Sequence, residues 1–151
     1  MSNLSRQPGK GLPRALVCYR ASATLLALTT LVQVGLGAGY IGGDYDSMDL
    51  HDINARVLIS LALLTLGTGI WLRRRGGPVR AAAVSAVLLV ALVVQMVLGI
   101  ERVVAVHITL GVIIFAAVTV LLMRAWAVSV PPKRPTSARP VDSDRPAEPV
   151  S

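Results

Sequence analysis

An all-α integral membrane protein, built as a bundle of four spanning helices with disordered tails, is the fold class this sequence predicts. Three observations carry that expectation. Apolar residues make up 54% of the 151 and charged residues only 15%, with a positive mean hydropathy. The charges lie almost wholly outside four apolar segments, residues 21–41, 50–72, 81–100 and 103–123. Each segment reaches the roughly 20 residues that a helix needs to cross about 30 Å of hydrocarbon.

Taken in order, residues 1–20 read as a cytoplasmic tail carrying Arg6, Lys10, Arg14 and Arg20. The first span exceeds the roughly 7–15 apolar residues of a secretory leader, and three more spans follow it, so it is expected to remain as a helix. The second span is interrupted only by Arg56, beside Asp52 and about one turn in. Arg73, Arg74, Arg75 and Arg80 separate it from the third span, and Arg124 follows the fourth. The spans make one domain over 21–127. Residues 128–151 carry Lys133, Arg134, Arg139 and Arg145 among many prolines; they lack apolar periodicity and read as a disordered cytoplasmic tail.

The net charge of +7 is thereby explained without nucleic acid. Basic residues mark both termini and the middle loop, whereas the other loops hold Asp44, Asp46 and Asp49, or Glu101 with Arg102. The positive-inside rule puts both ends in the cytoplasm of a plasma (inner) membrane and the acidic loops outside. Cys18 is the single cysteine, so no intrachain disulfide and no cysteine metal cluster can form.

The two halves share a pattern. Val32-Gln33-x-x-Leu36-Gly37 matches Val94-Gln95-x-x-Leu98-Gly99, and each is followed by one of the only two histidines, His51 and His107. The intervening loop reads as nine or so residues in the first half and two or three in the second. Both hairpins enter from the same side, which is a parallel internal repeat about an axis along the membrane normal. Depth agrees with the pairing. His51 lies 20 residues before Trp71 and His107 lies 19 before Trp126. At 1.5 Å per residue these are roughly 30 and 28 Å, counted from an aromatic that favours the interface.

Histidine within a span is costly and marks a candidate site. Two imidazoles at equal depth on different helices suit a b-type haem, with nitrogens about 4 Å apart across iron given bonds of roughly 2 Å. That geometry makes helices two and four neighbours at their outer ends. A zinc site would want four ligands. Only aspartates near His51 and Glu101 near His107 offer any. The alternative is that each histidine starts a helix as a cap, in a small non-enzymatic membrane subunit or assembly factor with no cofactor. A transporter is disfavoured by the lack of any broken helix or deep intramembrane carboxylate.

Four further residues belong to the candidate site. Gln33 and Gln95 must face the interior, because an unpaired amide in hydrocarbon costs several kcal/mol. They can bond each other or line a pocket. Arg56 can pair with Asp52 or reach a haem propionate. Gly111 lies one turn beyond His107 on the same face, and Gly35, Gly39 and Gly43 form a small-residue stripe suited to close packing or to a flat macrocycle.

These residues resemble one four-helix half of a haem A synthase. The likeness covers about residues 31–123 and rests on the Gln-x-x-Leu-Gly ending of the odd helices with a histidine at the next helix start. It implies that His51 and His107 are a haem-ligating pair. Small four-helix membrane proteins of actinobacteria look similar too. The family has a glutamate where Ser47 stands, often a cysteine pair in the first outer loop, and two halves rather than one. Haem methyl oxidation is therefore not assigned. Electron transfer or haem handling, with a membrane redox partner or a homodimer that rebuilds eight helices, is the expectation.

Overall fold

The computed structural model describes residues 11–128, and these form four antiparallel helices. They are α1 (Leu12–Ile41), α2 (Asp46–Arg74), α3 (Val79–Ile100) and α4 (Val104–Ala127). All four are long and apolar enough to cross a membrane. Each packs on its chain neighbours and α4 closes against α1, so α1 and α3 stand on one diagonal and α2 and α4 on the other. The proline-rich stretch from Pro131 lies outside the described residues, as do Arg6, Lys10 and every basic residue after Arg124.

Packing explains the helix limits. α1 starts at Leu12, so residues 12–20, expected as tail, are helical. Pro13 sits in the first turn, where its missing N–H is harmless. Leu12, Ala15, Leu16 and Tyr19 then carry on the buried stripe of Ser22, Ala23, Leu26 and Thr30. Arg14 lies off that stripe, and Arg20 is held at its edge. Hydropathy stops at the first charge, but the packing stripe does not. α2 likewise begins at Asp46 rather than residue 50, with Asp46 and Asp49 at the electropositive end of the helix.

The expected long first loop is consequently absent. Four residues join α1 to α2, and three join α3 to α4. All three turns close alike, with a left-handed residue after the helix and a backbone bond reaching five residues back. That residue is Gly43 (φ 99°), then Gly76 (φ 91°), then Arg102 (φ 56°). The closing bonds are Asp44 N–H to Gly39 O (3.0 Å), Gly77 N–H to Leu72 O (2.9 Å) and Val103 N–H to Leu98 O (3.0 Å).

Burial is confined largely to the arginine-bearing end. Leu26, Ala62, Leu72, Leu88, Val118 and Leu121 are among the side chains that fill it. Two helices also meet backbone to backbone there. A Cβ on Gly69 would lie 3.3 Å from the Ala81–Ala82 backbone. The Gly35–Gly39–Gly43 stripe does not pack in this way: Gly35 faces open space, Gly39 meets Ser47, and Gly43 belongs to the turn. The buried hydroxyls of Ser22, Thr30, Thr65 and Ser85 each bond a carbonyl of the preceding turn. Such self-satisfaction is what an apolar surrounding demands. Arg20 donates to the carbonyls of Ala125 (3.1 Å) and Val128 (2.6 Å) and stacks over Trp126, placing its charge at the electronegative end of α4. Large apolar side chains such as Val87, Val90 and Met123 point outward, 63–69% exposed. This reverses a water-soluble surface, where such residues are buried.

Candidate functional site

At the opposite, acidic end the four helices line a half-open cavity of about 570 Å³ with largely apolar walls. Its volume falls within the roughly 300–1,000 Å³ of small-molecule sites. His51 enters it from α2 and His107 from α4. Their ring centroids are 6.2 Å apart and the ring planes are tilted by 53°. Helices two and four are not the neighbours that the sequence suggested. They face each other diagonally, and the imidazoles meet across the centre because both project inward.

Neither histidine caps its helix. His51 lies in the second turn of α2 and His107 in the first turn of α4, and no side chain bonds the leading amides of either helix. The two halves instead repeat one arrangement. Gln33 Nε2 donates to the His51 carbonyl at 3.0 Å, and Gln95 Nε2 donates to the His107 carbonyl at 2.8 Å. The glutamines do not bond each other; each ties an odd helix to the histidine turn of its partner. Each imidazole rests on the glycine four residues after that glutamine. A Cβ on Gly37 would stand 3.4 Å from His51 Cε1, and one on Gly99 3.1 Å from His107 Cε1.

The unequal histidine spacing also resolves. Gly43 comes six residues after Gly37 and eight before His51, whereas Arg102 comes three after Gly99 and five before His107. Each arm of the first hairpin is therefore longer by three residues, about one helical turn. The excess adds height beyond the site and leaves its register intact.

The halves differ in detail. His107 Nδ1 lies 3.0 Å from the Gln95 carbonyl, to which it donates. Buried His51 Nδ1 makes only a poorer contact with the Gln33 carbonyl, and buried Gln95 Oε1 has no partner. Asn54 donates to Gln33 Oε1 (2.6 Å) and to the Thr29 carbonyl (3.1 Å), which gives the first amide oxygen the partner that Gln95 Oε1 lacks. The corresponding position after His107 is Leu110. Gly111 lines the cavity, and a Cβ there would come within 3.0 Å of Gln95 Nε2, so its smallness makes room for that amide. Arg56 pairs with Asp52 on the exposed face; Asp52 lines the cavity and Arg56 does not.

The structure thus brings together His51, His107, Gln33, Gln95 and Gly111, and leaves Arg56 at the rim. Sequence reasoning missed Asn54, although an amide one turn after His51 in an otherwise apolar span was a visible signal. Gly37 and Gly99 were legible in the sequence only as the last residue of the repeated motif. No cluster of three or more histidine, cysteine or acidic side chains suited to a metal ion occurs among the described residues. The chemistry on offer is that of two imidazoles facing one another in an apolar chamber. No protein-family model matches the chain, nor does any curated protein or solved structure.

Proposed function

We propose that this chain is a multi-pass membrane protein, with both termini cytoplasmic, that binds a b-type haem between His51 and His107 near the outer face. Electron transfer with a membrane redox partner, or haem handling, is the role this suits. The observation that carries the reading is the convergence of two imidazoles on one interior cavity. Iron–nitrogen bonds of about 2 Å, with each centroid about 1 Å behind its nitrogen, call for a centroid separation near 6 Å. The rings stand 6.2 Å apart. The bond from His107 Nδ1 to a carbonyl is the support that metal-bound histidines ordinarily have, and it leaves Nε2 free to ligate. The apolar walls suit a macrocycle. The matched Gln–carbonyl and glycine–imidazole contacts of the two halves favour a parallel repeat with a pseudo-two-fold axis along the bundle.

His51 and His107 would hold the group, with Gly37 and Gly99 positioning the rings and Gln33 and Gln95 fixing the two histidine turns. When bound between two imidazoles, a haem supplies one-electron chemistry at its iron. The chain's own part is to orient the imidazoles and keep the site apolar. Ser47, which stands where the resembling family has a glutamate, bonds the Asp44 carbonyl and does not line the cavity.

The deciding experiment is the absorption spectrum of the detergent-purified protein after haem b is supplied, oxidised and then reduced. A low-spin, six-coordinate spectrum is expected, and it should disappear on either His51→Ala or His107→Ala while the helices stay inserted. Wild-type protein that remains colourless would leave a membrane subunit without cofactor.

A further inference from the structure

We infer that the two histidines are unequal ligands: His107 is the permanent one and His51 the exchangeable one, so that the His51 side of the iron accepts a small exogenous ligand. This rests on the haem reading above and adds which face opens.

Three differences between the halves point the same way. His107 is fixed at Nδ1 by a well-formed bond of 3.0 Å to the Gln95 carbonyl, which sets its tautomer and ring angle, whereas His51 Nδ1 makes only a poorer contact with the matching Gln33 carbonyl. The seats also differ. The Cβ position at Gly99 is 3.1 and 3.3 Å from the Cε1 and Nδ1 of His107, while that at Gly37 is 3.4 and 3.6 Å from those of His51. The first ring therefore sits looser on its glycine. Finally, the amide network of the first half holds backbone rather than ring. Gln33 grips the His51 carbonyl and Asn54 grips Gln33, so the α2 turn stays in place whatever the imidazole does. Swinging the His51 side chain gives up no well-formed hydrogen bond. Swinging His107 sacrifices its bond to Gln95. Losing the outer support of a metal ligand commonly costs about 10–100-fold in affinity, which sets the scale of the asymmetry.

The test uses the full chain in detergent with haem b supplied, and carbon monoxide as the probe ligand. Reduced wild-type protein should take up carbon monoxide, with the shift of the main absorption band that marks loss of one imidazole. His51→Ala should keep its haem in a five-coordinate, high-spin form, while His107→Ala should bind haem about 10–100-fold more weakly than His51→Ala. Reduced haem that stays six-coordinate under carbon monoxide, or equal losses from the two substitutions, would overturn the inference and leave haem binding standing. A wild type that takes up no haem removes the haem reading, and this inference with it. Should His51→Ala fail to insert, the same comparison is made between His51→Gln and His107→Gln.

Discussion

At the residue scale, most of the site's specificity lies in atoms that are absent. Gly99 has no Cβ, so the His107 ring can lie against α3 and reach the carbonyl of residue 95. Gly99→Ala should displace that ring. An exposed helical Gly→Ala change normally gains up to about 1 kcal/mol, and Gly35, with open space around its Cβ position, should show that gain. Gly99→Ala should fall below Gly35→Ala by about 0.6–2 kcal/mol, the range for one membrane hydrogen bond. Equilibrium unfolding in mixed detergent measures the difference, and equal values would show that the His107 seat carries no energy. The glutamines make a paired comparison. Gln33→Leu removes the bond to the His51 carbonyl and strips Asn54 of an acceptor, whereas Gln95→Leu removes one bond and relieves an unpartnered oxygen. Gln33→Leu should therefore be the more destabilising, by about 0.6–2 kcal/mol, and neither substitution should abolish ligation.

At the scale of elements, the three turns use one closing geometry with different chemistry. Glycine fills the left-handed position after α1 and α2, but Arg102 fills it after α3. A side chain in that conformation costs roughly 1–2 kcal/mol. Arg102→Gly should recover part of this, up to about 1 kcal/mol, and Gly76→Ala should cost about the same or more. The same unfolding measurement checks both, and a stabilised Gly76→Ala would contradict the turn geometry. The two histidine hairpins also show how an element tolerates insertion. Three residues added to each arm lengthen the first hairpin by about one turn without rotating His51 off its glycine, because three to four residues restore the same helical face.

For the whole molecule, charge and packing divide the bundle into two ends. Arg14, Arg20, Arg73, Arg74, Arg75, Arg80 and Arg124 gather at the tightly packed end, and Asp44, Asp46, Asp49 and Glu101 at the hollow one. Reporter fusions after Arg75 and Arg145 should report cytoplasm, and one after Asp46 the outside. An external middle loop would invert the orientation and move the cavity to the inner face. The division has a physical logic. The packed end holds the helices in register, so the other end can stay open around a ligand without the bundle collapsing into the space.

The number of helices, the segregation of charge and the common depth of His51 and His107 were legible in the sequence, because hydropathy, charge and rise per residue accumulate along the chain and need no partner. The Gln–Gly–His pattern was legible for the same reason, as spacing on one helix face. What it meant was not. That Gln33 reaches the His51 carbonyl, that Gly37 lies under the imidazole and that Asn54 locks the amide depend on how two helices are rotated toward each other. A one-dimensional pattern leaves that rotation free. Helix limits at Leu12 and Asp46 were hidden by charges that hydropathy treats as boundaries and packing simply turns outward. Arg56 pointed to two partners in the sequence, and its position on the exposed face of α2 chose Asp52. Only the tertiary structure decided that α2 and α4 stand diagonally, since connectivity and apolar length are satisfied equally by other arrangements. Side-chain packing at the arginine end, with Gly69 against Ala81 and Ala82, selects the one that turns both histidines into the same cavity.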